Sequence, residues 1–196
     1  MIILASASPR RRELLDQIKC KFQVITSDAE EVTTSELLPQ DLVIQNAHLK
    51  AAAVAKQYGD IPVLGADTVV SLDGNIYGKP RNEEHARQML ETFSGRTHQV
   101  TTGIVLAWHD CFWQAYETTE VVFAPLSPAE IDFYLSTGEH ADKAGAYGIQ
   151  GQAAVFVEGI RGSYSNVVGL PLHCLSRLAK KAGIDLYDNG KGTSYR

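Results

Sequence analysis

Four sets of residues, three of them short stretches, carry residue types that could do chemistry on a phosphate ester. The first is ASASPRRREL near the start, where Ser6, Ser8 and the cations Arg10, Arg11 and Arg12 fall within one strand end and one helical turn. Ser8 followed by Pro9 reads as an N-cap and first helical residue. The arginines therefore crowd the positive end of a helix, an arrangement that costs about 0.3–1 kcal/mol per exposed charge unless an anion compensates it. Backbone N–H groups, hydroxyls and guanidinium groups around one point form a phosphate site. The plain alternative is a solvated basic face paired with Glu13 and Asp16.

The second stretch is VLGADTVV, which places Asp67 in a run that otherwise looks buried, beside the small Gly65 and Ala66. A buried carboxylate has to be paired, metal-bound or functional, whereas one at a strand end reaching solvent needs no special role. Thr68 puts a hydroxyl on the opposite face of the strand. The third group is dispersed: the acidic pair Glu30 and Glu31, Lys50 on an Ala-rich helix, and Lys79 held extended by Pro80. Singly these read as surface residues. Together they supply carboxylates for a divalent cation and cations for phosphate oxygens. The fourth is DKAGAYGIQG, in which Gly145, Gly148 and Gly151 allow close backbone approach and Gln150 offers a donor and an acceptor to a base edge.

The elements that must position these groups follow from the hydrophobic pattern. MIILA reads as a buried strand feeding the SPRRRELLDQI helix, and FQVITS as a second strand. PQDLVIQNAHLKAAAVAKQYG has helical spacing and a closing Gly59, and IPVLGADTVVSLDG is a strand ending in an Asp73-Gly74 turn. NEEHARQMLETFSG is a helix capped by Asn82 and stopped by Gly95. HQVTTGIVLAWH and CFWQAYETTEVVFA form a hairpin around His109-Asp110, with Trp108 and Trp113 as packing or interface residues. SPAEIDFYLSTG carries a capping box, GSYSNVVGLP a turn around Asn166, and LPLHCLSRLAKKAG a final helix. Early alternation of strands and helices with a central strand pair predicts an α/β fold with a mixed β-sheet flanked by helices.

Composition limits the partners. The 196 residues carry a formal charge of -5 with 44% hydrophobic and 21% charged residues, an ordinary globular balance that argues against nucleic acid as the main partner. Cys20, Cys111 and Cys174 form no metal or disulfide pattern, and no apolar run reaches membrane-spanning or signal-peptide length, so a cytoplasmic protein with no membrane association is expected. We expect one domain over residues 1–187 and a polar, flexible tail over 188–196. No Walker phosphate loop, nucleophile elbow or dinucleotide fingerprint is present.

The ordered set LASASPRRREL, Glu30-Glu31, Lys50, LGADTVV, GKP, DKAGAYGIQG and GSYSNVVGLPL resembles the Maf family of nucleoside triphosphate pyrophosphatases, from Leu4 to the final helix. Arg10, Thr68 and Gln150 stand where the subgroup acting on dTTP and UTP carries Arg, Thr and Gln. The resemblance implies a fold similar to that of inosine triphosphate pyrophosphatases, with the substrate in a cleft beside the sheet. It implies cleavage between the α and β phosphates with Mg²⁺ or Mn²⁺ as cofactor, and a homodimer. Asp67 would then be the proton acceptor, with Glu31 and Asp67 toward the metal. Ser6, Ser8, Arg10, Arg11, Lys50 and Lys79 would hold the triphosphate, and Arg10, Thr68 and Gln150 would select the pyrimidine. One departure is Leu49, which stands where many relatives carry an acid before the lysine. The family also suggests nucleotide-pool sanitation and cell-division arrest, and a different class of function, a non-catalytic regulator of septum formation that binds a nucleotide or a partner.

Overall fold

The computed structural model describes residues 1–34, 36–58 and 60–187. Gly59, expected to close a helix, and the expected tail 188–196 lie outside the described residues. The chain runs β1 (Ile2–Leu4), α1 (Pro9–Gln17), β2 (Phe22–Val24), α2 (Pro39–Tyr58), β3 (Val63–Leu72), β4 (Asn75–Tyr77), α3 (Glu83–Phe93), β5 (Thr97–Trp108), β6 (Cys111–Phe123), α4 (Pro128–Ser136), β7 (Val157–Arg161), α5 (Tyr164–Val168) and α6 (Leu172–Lys181). Two short 3-10 turns, Ala144–Ala146 and Gln152–Phe156, interrupt the stretch between α4 and β7.

One seven-stranded sheet has the order β2-β1-β3-β5-β6-β7, with β4 also on β3. The first three strands are parallel to one another and the rest pair antiparallel, so the expected mixed α/β sheet is present. β3 is the pivot. On one edge it pairs along its length with β5; on the other, β1 takes Val63 and Leu64 while β4 takes Val70 to Leu72. Between those two short partners, residues 65–69 have no strand neighbour on that edge among the described residues. A gap in a sheet edge exposes backbone and side chains in the middle of an otherwise buried strand. Asp67 and Thr68 lie in it.

Both hairpins turn through pairs of residues with positive φ, Asp73-Gly74 at 51° and 78° and His109-Asp110 at 47° and 60°. Two left-handed residues in succession give a turn whose twist matches that of the flanking strands. The Asn82 cap and the Ser127/Glu130 capping box form as expected. The strand expected over FQVITS is shorter, because only Phe22–Val24 finds a partner in β1, and the turn expected around Asn166 is a five-residue helix, α5. Trp108 and Trp113 both pack partly against the core.

α2 lies directly on the sheet because two strand positions have no side chain. A Cβ on Gly65 of β3 would stand 2.1 Å from the Ala47 carbonyl oxygen, and one on Gly103 of β5 would stand 2.7 Å from Val43 carbonyl atoms. Ala47, Ala51 and Val54 then bury fully against Ile3, Val63 and Val105. The other face of β1 and β3 packs on α1 and α6, and a further cluster lies under α3 and α4.

That last cluster holds a titratable group. The rings of Phe93, Phe123 and Tyr147 surround His98, whose Nε2 lies 2.8 Å from the Tyr147 hydroxyl while Nδ1 has no partner among the described residues. Burial pushes its pKa down from 6.5 to about 4. The unfolded chain therefore binds a proton in this window that the native protein does not. Stability falls as pH drops from about 6.5 to about 4 and this contribution levels off below, by about 3 kcal/mol in all. Melting temperatures measured across that window should show the slope, and His98→Gln, which keeps an amide beside Tyr147, should flatten it. An unchanged slope in the variant would assign the acid sensitivity elsewhere.

Candidate active site

The gap in β3 opens into a cleft of about 870 Å³. Its walls come from residues 5–11 after β1, the segment before α2, α2 itself, the Gly78-Lys79 loop after β4, residues 142–150 and the end of α5. Every expected site residue lies on it: Ser6, Ser8, Arg10, Arg11, Glu31, Lys50, Asp67, Thr68, Lys79 and Gln150. They gather because β1 and β3 are parallel neighbours. The loop leaving β1 must rise beside the unpaired middle of β3, and α2 crosses its other face.

Asp67 is 7% exposed and points toward α2. Its Oδ1 accepts from the Lys50 ammonium at 2.7 Å and its Oδ2 from the Asn46 amide at 3.2 Å. The same ammonium lies 2.9 Å from Glu31 Oε1, so one buried cation joins two carboxylates that are 36 residues apart in sequence. Burial alone would raise the Glu31 pKa, but the hydrogen bond and charge of Lys50, aided by Lys79 and Arg11, outweigh it and hold the carboxyl below its usual value. Lys79 is exposed at the rim, and the Gly145 N–H donating to the Gly78 carbonyl at 3.0 Å ties its loop to the glycine-rich wall.

The opposite wall is cationic. Arg11 is 9% exposed, and its guanidinium donates only to neutral oxygens: Gly169 O at 2.8 Å, Ser6 Oγ at 3.0 Å and Thr68 Oγ1 at 3.1 Å. Burial lowers its pKa, and the more distant charge of Asp67 works against that. No carboxylate touches it among the described residues, so this buried positive charge has hydrogen bonds but no counter-ion. A phosphate entering the cleft would supply one. The penalty foreseen for arginines at a helix start is thus met partly by the fold.

Arg10 answers it differently. Its Nη1 pairs with Asp142 Oδ2 at 3.0 Å, not with Glu13 or Asp16, and Lys143 takes the other oxygen of Asp142 at 2.8 Å. Arg12 is exposed. Ser8 occupies the N-cap position but its side chain caps nothing; instead its N–H donates to Ser6 Oγ at 3.2 Å. That bond and the one from Arg11 fix the Ser6 hydroxyl inside the cleft.

Thr68 does lie on the face opposite Asp67. Its hydroxyl is shared between Arg11 and the Thr102 hydroxyl at 3.0 Å, and Thr102 in turn donates to Asn166 O at 3.1 Å. The group is therefore engaged in holding Arg11. Gln150 is exposed on the 142–150 wall, its Nε2 at 3.5 Å from Glu13 Oε2, a loose contact that leaves the amide able to turn toward a ligand. Glu30 is exposed and is not among the lining residues.

Sequence reasoning missed Asn46, Asp142 and Thr102. Asn46 stands one helical turn before Lys50, and that i, i+4 spacing on the helix expected to dock on the sheet was a readable signal. Asp142 opens the DKAGAYGIQG stretch but nothing local pointed to its partner, and Thr102 had no signal, since the importance of both comes from partners more than 30 residues away.

Comparison with known proteins gives the family. The family model described as Maf-like protein matches residues 1–182. A dTTP/UTP pyrophosphatase of Bacillus cereus (strain AH187) is 47% identical over 185 residues, 94% of this chain and 97% of its own length. One of Bacillus thuringiensis subsp. konkukian (strain 97-27) has the same identity and coverage. The structure of the Staphylococcus aureus Ham1 protein overlaps 70% of this chain and 97% of its own at 16% identity and a TM-score of 0.44, too slight a likeness to add to the sequence relationship. No helix among the described residues is long and apolar enough to cross a membrane. A family match over nearly the whole length, with its motifs gathered around one cleft, establishes that the chain belongs to the Maf family.

Proposed function

We propose that the protein is a nucleoside triphosphate pyrophosphatase that hydrolyses dTTP and UTP to the monophosphate and pyrophosphate. The observation that carries the reading is the placement, on opposite walls of one cleft, of the buried Asp67 carboxylate and the buried Arg11 guanidinium, which has no counter-ion among the described residues. The α-phosphorus is shielded by anionic oxygens that repel a nucleophile. Hydrolysis therefore needs cations on the phosphates and a carboxylate to orient or deprotonate water. Arg11, Arg10 and Lys79, with the Ser6 and Ser8 hydroxyls, bind the triphosphate. Asp67 accepts the proton of the attacking water, and Lys50 holds that carboxylate in place.

A divalent cation, Mg²⁺ or Mn²⁺, belongs to this reading. The described residues hold no cluster of three or more His, Cys, Asp or Glu side chains that could form a metal cage. The two carboxylates Glu31 and Asp67 do meet at Lys50, which suits an ion that takes one or two carboxylates and completes its shell with substrate phosphates and water. Glu31 and Asp67 would hold it, and it would supply charge neutralisation at the phosphates.

The base is chosen on the 142–150 wall. Gln150 can hydrogen-bond the carbonyl and ring N–H of uracil or thymine in one orientation of its amide, and it rejects cytosine when the bound state holds that orientation, because the flipped amide would match the amino-bearing edge. Thr68 contributes to selectivity through Arg11. Assembly as a homodimer in the cytoplasm completes the proposal, and light scattering of the purified protein tests the first part. The decisive assay is pyrophosphate release from dTTP, UTP, CTP, dCTP, ATP and GTP with Mg²⁺, with Mn²⁺ and with chelator. Selective, metal-dependent turnover of dTTP and UTP is expected. A purine or CTP preference would overturn the roles of Arg10, Thr68 and Gln150, and no turnover at all would leave a binding regulator of septum formation.

A further inference from the structure

Asn46 is 3% exposed, and every hydrogen it can donate is used. One goes from Nδ2 to Asp67 Oδ2 at 3.2 Å and the other to the Val32 carbonyl at 3.1 Å, while Oδ1 accepts from the Val32 N–H at 2.8 Å. The two bonds to Val32 reproduce what a neighbouring strand would offer. They matter because the described residues between β2 and α2 have no regular structure of their own, and their backbone groups need partners elsewhere.

We infer that Asn46 is a positioning residue that joins the two carboxylates of the site into one unit, Asp67 directly and Glu31 through the backbone of Val32. Lys50 alone would not do this. Its ammonium sits at the end of a flexible stem and bonds one oxygen of each carboxylate, so either carboxylate could rotate about that contact. The second oxygen of Asp67 is fixed only by Asn46 among the described residues. Glu31, half exposed, keeps its place beside Lys50 because the next residue is pinned at both its N–H and its carbonyl. One turn of α2 thus carries both devices, the amide and the ammonium, and α2 is itself held rigidly by its close approach to Gly65 and Gly103.

The kinetic part of this inference rests on the proposed hydrolysis, and the structural part does not. For Asn46→Ala the expected result with dTTP and Mg²⁺ is a fall in kcat of about ten- to a hundredfold, the usual size for a lost supporting contact, with KM changed less than about threefold. Hydrogen exchange of substrate-free protein should show the Val32 amide opening about tenfold faster. Asn46→Ser, too short to reach Asp67 and Val32 together, gives the same result and replaces the alanine variant should that one fail to fold. Leu90→Ala, whose side chain packs under α3 and does not line the cleft, controls for general destabilisation: it lowers the melting temperature but moves neither kcat nor Val32 exchange. Unchanged kcat in the Asn46 variants of an active enzyme, or unchanged exchange at Val32, overturns the inference. A wild type that turns over no nucleotide overturns the functional reading instead, and exchange at Val32 still decides whether the clamp exists.

Discussion

Asp67→Asn is expected to lower turnover of dTTP by about 10²–10⁴-fold while leaving binding of the triphosphate largely intact. The side chain keeps its shape but can no longer accept a proton. Its neighbours add a second effect. Asp67 receives two donors, one on each oxygen, from Lys50 and Asn46. An asparagine amide offers one oxygen and one NH₂ group, so in either orientation a donor faces a donor. The substituted side chain settles with its oxygen toward the Lys50 ammonium, the stronger, charged partner, and the contact with Asn46 is lost. The cations on the other wall do not touch residue 67, so without divalent metal the affinity for a dTTP analogue with a non-hydrolysable α,β-imido bridge should change by less than about threefold, measured by calorimetry. Wild-type turnover in the variant would remove Asp67 from the mechanism. Loss of binding together with turnover would recast it as a substrate-holding group.

Lys50→Met should produce the largest stability loss of any single change in the site. The variant removes the cation between a buried carboxylate at 2.7 Å and a half-exposed one at 2.9 Å, leaving like charges facing each other. Breaking a buried ion pair from one side typically costs about 3–5 kcal/mol, and the exposed half of the Glu31 contact adds little to that. The melting temperature of the metal-free variant should fall accordingly, and turnover should be lost. The same substitution reports on the metal. If Glu31 and Asp67 bind a divalent cation, Mg²⁺ replaces the missing charge and raises the melting temperature of Lys50→Met more than that of the wild type, by an amount that grows with the logarithm of its concentration. Equal shifts in the two proteins would place the metal elsewhere.

The two ends of α1 and α2 show why parts of the site were legible and parts were not. Ser8-Pro9 marked the start of α1, and the arginine cluster behind it was electrostatically wrong for a helix start, so a ligand or a special environment could be inferred from local physics alone. That Arg11 would be buried and Arg10 held by Asp142 could not be inferred. Those outcomes depend on where α5 and the 142–150 wall lie, and both come from the last third of the chain. Ser8 takes the N-cap position as read, while its side chain caps nothing and its N–H donates to the Ser6 hydroxyl, which Arg11 holds. Lys50 was read as a solvated helix residue as readily as a functional one. Its burial follows from the close approach of α2 to the sheet, and that follows from two glycines on different strands, 38 residues apart.

From the sequence alone come most of the elements, their order and the mixed sheet, though not β4 or α5, because hydrophobic periodicity, caps and turn residues act over a few positions. So does the chemistry of the site, since an arginine turn, an aspartate in an apolar strand and a glycine-rich loop each violate a local expectation that a structural role would satisfy. Tertiary structure decided which charges meet. It opened β3 between β1 and β4 so that Asp67 could be buried and yet reachable, joined Asp67 to Glu31 through Lys50 and Asn46, and left Arg11 hydrogen-bonded without a counter-ion among the described residues. Pairing of this kind depends on strand order and helix approach, which arise from contacts between distant segments, and no window of sequence contains both partners.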